Sequence, residues 1–211
     1  IETQNLEDIP YYFVKDKIQS ILDDDSYSSK MPDSHRIECQ SSLYNCIQYS
    51  KFKWMLKAAE DNPFCSDHFV WMDAGLSRFF DDLDLSKPYP GPMGLDILEK
   101  NKDSAIIQCF AMPYKDLFSA KILTEEYFWD NRSYIMGGMF AGNMNAIKKL
   151  DALTEEILIN KMIGSNVVNN EQIALGFLLK NPNTADTFRV FVNQYPMKNH
   201  RNYELINALG S

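Results

Sequence analysis

The sequence predicts an α/β layer fold, a sheet covered by helices. Three observations carry this. Helical periodicities alternate with short apolar runs bounded by turn residues. Of the 211 residues, 45% are apolar and 24% charged, the composition of an ordinary folded chain. No internal repeat or low-complexity tract interrupts the alternation.

In chain order, a first helix is expected near residues 10–23 and a second over 42–60. Phe69 to Met72 reads as a buried strand, and Asp81 to Pro92, rich in Asp, Pro and Gly, as the exposed loop that follows it. Further strands are expected at Ala105 to Met112, Tyr134 to Phe140 and Phe188 to Val192. Asn143 can cap a helix over 143–163, on which Ile147, Leu150, Ile157 and Met162 fall close to one stripe. A last helix, 170–180, starts behind Asn169 or Asn170, presents Ile173, Phe177 and Leu178, and stops at Asn181-Pro182. The chain length suits one domain, residues 1–211.

Composition also limits function. The net charge of −8 provides no basic footprint for a phosphate backbone, so nucleic acid is not expected as a partner. No apolar run approaches the ~20 residues that span a bilayer, and Ile1-Glu2-Thr3-Gln4 is neither basic nor apolar enough for a signal peptide. A soluble, cytoplasmic protein is therefore expected, and the missing initial Met suggests a piece of something longer. Cys39, Cys46, Cys65 and Cys109 show no metal-binding spacing and read as reduced core thiols. The motifs GxSxG, HExxH, the P-loop and GxGxxG are all missing.

The stretch Phe69-Val70-Trp71-Met72-Asp73-Ala74-Gly75 is the most informative. An apolar run ending in Asp places a carboxylate at the carboxyl end of a strand, where open α/β sheets bind ligands. Asp73 either lines that crevice or caps the following turn. Gly75 leaves room for a close approach. Asp23-Asp24-Asp25 and Asp82-Leu83-Asp84 rank lower, because neither follows a convincing strand.

Lys51, four residues after Ile47 and four before Met55, points along the stripe that faces the sheet. Its ammonium either snorkels to water or meets a ligand's phosphates beside Asp73. Gly137-Gly138, inside a strand, requires a bulge or a ligand against bare backbone. Glu171-Gln172 opens the last helix, where an acid is also simply favourable charge.

Tyr49-Ser50-Lys51-Phe52, Asn62-Pro63-Phe64, Phe69 to Leu76, Gly137 to Gly142, and Glu171-Gln172 followed by Asn181-Pro182 form an ordered set, from about residue 40 to residue 193. This set resembles the HtrL/YibB-type glycosyltransferases. The resemblance implies a GT-A-like fold, a mixed, mostly parallel sheet flanked by helices. It also implies a nucleotide-sugar donor such as a UDP-sugar, a glycan or glycoconjugate acceptor, and a divalent metal, Mn2+ or Mg2+, on the diphosphate.

By that likeness Asp73 stands for the first acid of the metal motif and Lys51 for the cation facing the donor phosphates. Gly75, Gly137 and Gly138 border the donor, and Gln172 lies beside the reacting sugar. Glu171 is the candidate base, and His200 stands for the late histidine of the metal shell. Gly75 occupies the place of the motif's second acid, so a metal on Asp73 requires water, the diphosphate or a distant residue. The N-terminal βα units of such folds are not found in Ile1 to Gln40. A non-catalytic glycan-binding or assembly module is the alternative, and a phosphatase built on Asp82-Leu83-Asp84 a more distant one.

Overall fold

The structure is a computed structural model that describes residues 5–79, 84, 86–109, 122–192 and 204–211. Its centre is a four-stranded mixed sheet of β1 (Phe69–Met72), β2 (Ala105–Cys109), β3 (Ile135–Gly142) and β4 (Phe188–Val192). The order is β1-β3-β2-β4. β1 and β2 both pair antiparallel with β3, while β2 and β4 are parallel. This corrects the expectation of a mostly parallel sheet. β1, β2 and β4 run the same way, but the reversed β3 sits inside the sheet and turns two of the three pairings antiparallel. Local apolar runs do not encode neighbour order, so the sequence could not supply it.

Seven α-helices flank the sheet among the described residues: α1 (Lys15–Leu22), α2 (Asp25–Lys30), α3 (Ser42–Asp61), α4 (Pro92–Lys100), α5 (Met144–Glu156), α6 (Glu171–Lys180) and α7 (Glu204–Gly210). On one face, Ile18, Phe52, Ile147 and Ile173 from the helices pack against Ile107, Ile135 and Phe140. On the other, Leu98 of α4 and Leu205, Ile206 and Leu209 of α7 cover Ile106, Met136, Met139 and Ala141. Neighbours Ile106 and Ile107 thus feed opposite cores, as strand alternation requires. No helix among the described residues is long and apolar enough to cross a membrane.

The caps follow the sequence chemistry. The side chains of Ser41, Asn143 and Asn170 accept from the backbone N–H of Tyr44, Ala146 and Ile173 at 3.2, 2.9 and 3.2 Å. α3 ends at Asn62 in the left-handed region (φ 32°). The helix expected over 143–163 is α only to Glu156 and then widens into a π segment, Ile157–Met162. Ile157 and Met162 are both buried, and the five-residue step between them suits i→i+5 bonding better than an α turn.

α2, α4 and α7 were not expected. α4 begins at Pro92, inside the region read as the end of a loop, and its Gly94 is pressed against the backbone of Leu209, so tertiary packing explains a glycine that local reading takes for a breaker. The first expected helix is a 3-10 turn, Tyr12–Val14, continued by α1. Cys39, Cys46 and Cys109 are buried. Cys65 is exposed at φ 52°, in the turn leaving α3, which corrects its reading as a core thiol.

Candidate functional site

Lys51, Asp73, Gly137, Gly138, Glu171 and Gln172 come from four elements and meet at the end of β1. Lys51 is only 3% exposed. Its Nζ donates to Glu171 Oε1 at 2.7 Å and to the Gly137 carbonyl at 3.1 Å, and lies 3.8 Å from Asp73 Oδ2. The ammonium does not snorkel to water; it is shared among protein oxygens and lies beside Asp73. Ile47, one turn earlier, is itself exposed, while Met55, one turn later, is buried beside the core as the spacing predicts.

Asp73 follows β1 directly. Its N–H donates to the Gly138 carbonyl at 2.8 Å, which extends the β1–β3 pairing by one residue. Its carbonyl accepts from Leu76 N–H, so the residue also closes the turn after the strand. The Trp71 indole N–H donates to Asp73 Oδ1 at 2.7 Å. Trp71 and Asp73 are two residues apart and share one strand face. That indole is held in a column, stacked on Trp54 at 6.3 Å and on Phe140 at 6.1 Å between centroids. The Asp73 side chain remains 39% exposed, so solvent and solutes reach a carboxylate whose position is fixed from within.

The paired glycines have a structural reason. Opposite β2 the register jumps from Ile107↔Phe140 to Gln108↔Met136, leaving Gly137, Gly138 and Met139 as a bulge in β3. The bulge resets the alternation, so Met136 and Met139, three residues apart, enter the same core. A Cβ on Gly137 would collide with Glu171 Oε1 and come within 2.9 Å of Gln172 Cγ. The space beside Gly137 is therefore filled by the start of α6. Gly75 differs: a Cβ there meets nothing within 4 Å.

Glu171 is 4% exposed and sits in the first turn of α6. Burial pushes its carboxyl above the ordinary range, and the Lys51 ammonium pulls it back only in part. Tyr44, half-buried on α3 seven residues before Lys51, belongs to the same site. Burial raises its phenol, and the negative charges of Glu171, Glu38 and Asp73 raise it further. The i, i+7 spacing of Tyr44 and Lys51 was the available signal for it. Asn170, the α6 cap, also donates to Glu38 Oε1 at 2.9 Å, which ties this corner to the part-buried Arg36–Glu38 pair.

A divalent cation on Asp73 calls for several oxygen ligands. Asp73 already accepts the indole N–H and faces an ammonium, Glu171 is turned onto Lys51, and Gly75 brings no side chain. His200 and most of Asp82-Leu83-Asp84 lie outside the described residues. Among the described residues no three His, Cys, Asp or Glu side chains gather as a metal site. The described donors therefore do not fit a metal centre by themselves.

No curated protein and no solved structure matches the chain. One family model does, over residues 1–195, further towards the N-terminus than the stretch that carried the resemblance, and its description reads "Bacterial protein of unknown function". That description corrects the expectation that the resembled family is one of glycosyltransferases, because it assigns no transfer activity. The reversed inner strand, the bulged glycines and the Lys51-centred cluster are accordingly the features of a chain that belongs to the bacterial HtrL_YibB family.

Proposed function

We propose that the chain transfers a sugar from a nucleotide-sugar donor to a hydroxyl of a glycan or glycoconjugate, with Asp73 as the group that meets the substrates. The observation that carries this reading is the state of Asp73. Its carboxylate is part-exposed at the carboxyl end of β1, yet anchored by the Trp71 indole and by Lys51, the placement expected of a ligand-facing acid in an α/β sheet. The sheet supports a GT-A-type arrangement, since three co-directed strands enclose one reversed strand next to this acid.

In the proposed step the acceptor oxygen attacks the anomeric carbon and the bond from that carbon to the donor phosphate oxygen breaks. Nucleoside diphosphate leaves, and the hydroxyl proton passes to the Asp73 carboxylate and then to water. Glu171, expected from sequence as the base, is buried and spent on Lys51. Its role in this reading is to hold Lys51, which in turn orients Asp73.

The test is turnover of a panel of UDP-, GDP- and dTDP-sugars by the purified chain, with and without Mn2+. Asp73→Asn keeps the shape and an acceptor for the indole. It is expected to lower turnover by about 100- to 10,000-fold while leaving Tm nearly unchanged. Full activity in that variant would refute the assignment.

A second reading is a glycan-binding module without turnover. It is favoured by the engagement of Lys51, whose N–H groups are directed at Glu171, Gly137 and Asp73 rather than at a diphosphate. Such a module would bind glycan but have no measurable affinity for nucleoside diphosphates.

A further inference from the structure

A cavity of about 660 Å³ lies at the opposite end of β1 from Asp73, where α3 ends and the turn to β1 begins. We infer that it is a binding subsite for neutral oligosaccharide. Its volume falls inside the ~300–1,000 Å³ of small-molecule sites. The aromatic rings of Trp54, Phe64 and Phe69 line it, with Ala58 between them. Phe64 is 88% exposed, an unusual state for a phenyl ring unless something covers it.

The rim is polar. Asp61 and Ser66 bring oxygens, and Lys57 brings a cation. The lining thus carries one charged side chain of each sign. Aromatic faces with a hydrogen-bonding edge match a ligand with apolar C–H faces and a ring of hydroxyls. The rim is also built rather than loose: Asn62 clamps the turn by accepting from Ser66 N–H at 2.8 Å and donating to the Ser66 carbonyl at 3.0 Å.

The cavity is in line with the acid. Phe69, Trp71 and Asp73 alternate onto one face of the strand, and four residue steps span about 13 Å. Trp54 lines the cavity and stacks on Trp71, whose indole holds Asp73. A chain of several sugars seated on Phe64 and Trp54 would therefore extend towards Asp73. This inference rests on the sugar-transfer reading for its ligand class, but it is measured without donor.

The experiment is calorimetric titration of the whole chain with cellotetraose, chitotetraose and maltotetraose. At least one is expected to bind saturably. Phe64→Ala is expected to weaken that binding about tenfold, and Ala58→Trp, which fills the cavity, to abolish it, both at nearly unchanged Tm because the side chains are exposed. Three results overturn the inference: no saturable binding of any of the three sugars, binding that survives both cavity variants, or a sedimenting dimer that Phe64→Ala dissociates. Loss of donor turnover in Asp73→Asn with no oligosaccharide binding removes this subsite alone. Oligosaccharide binding by a chain that turns over no donor removes the transfer reading alone.

Discussion

A single buried ammonium organises the site. Because Lys51 serves two carboxylates and a carbonyl, its removal strands Glu171 as an unpaired buried charge. Lys51→Met is expected to destabilise the chain by about 3–5 kcal/mol, read from urea unfolding. The double variant Lys51→Met/Glu171→Leu should recover most of that loss, and no recovery would show that Glu171 is not the group left stranded. Of this corner, Asp73 and the inward Lys51 were legible from residue order: an acid closing an apolar run, and a cation at helical spacing from Met55. The partner of Lys51 was not legible, because Glu171 is 120 residues away and only the packing of α6 on β3 brings it there. Gly137-Gly138 was read as either a bulge or a place for ligand to approach; the bulge is present, and the missing side chain of Gly137 makes room for α6.

At the scale of elements, the seam between β3 and α6 sets how closely the two can approach. Gly137→Ala forces a methyl group into Glu171 and Gln172, and overpacking of this kind is expected to cost about 1–3 kcal/mol. Gly75→Ala, in open space, should stay within about 0.5 kcal/mol. Denaturant midpoints of the two variants check this pair, and equal effects would contradict the packing argument. β1 and β4 were legible to the residue, because each is an apolar run with clear turn residues at its ends. α5 and α6 were legible from Asn caps and apolar spacing. The short helices α2, α4 and α7 were not, because six to nine residues hold too little periodicity to stand out against their Gly, Ser and Asp content.

For the whole molecule, charge and pH bring these terms together. Glu171 has a folded-state pKa raised above its unfolded value, chiefly by burial. Its contribution to stability is therefore fully present below the ordinary glutamate range and is lost as pH rises through the raised value. Relative to Glu171→Gln, which cannot titrate, the unsubstituted chain should gain stability as pH falls through that window. Tm measured for both chains from acidic to neutral pH tests the sign, and a gap that widens towards neutral pH would reverse it. Asp130 opposes this trend: burial alone would raise it, but the hydrogen bonds and charge of Arg132 outweigh burial and hold it below the usual carboxylate range. Its share of stability is lost on acidification. The three-layer arrangement was foreseeable from alternating elements, while the inner position of β3 depended on contacts that no local window contains.

Cys65 stands exposed in the turn that leads from α3 to β1, next to Phe64, while the other three thiols are buried. A maleimide added to the native chain should therefore couple at one position. It would attach a spin label or dye at the edge of the aromatic cavity without any engineered substitution.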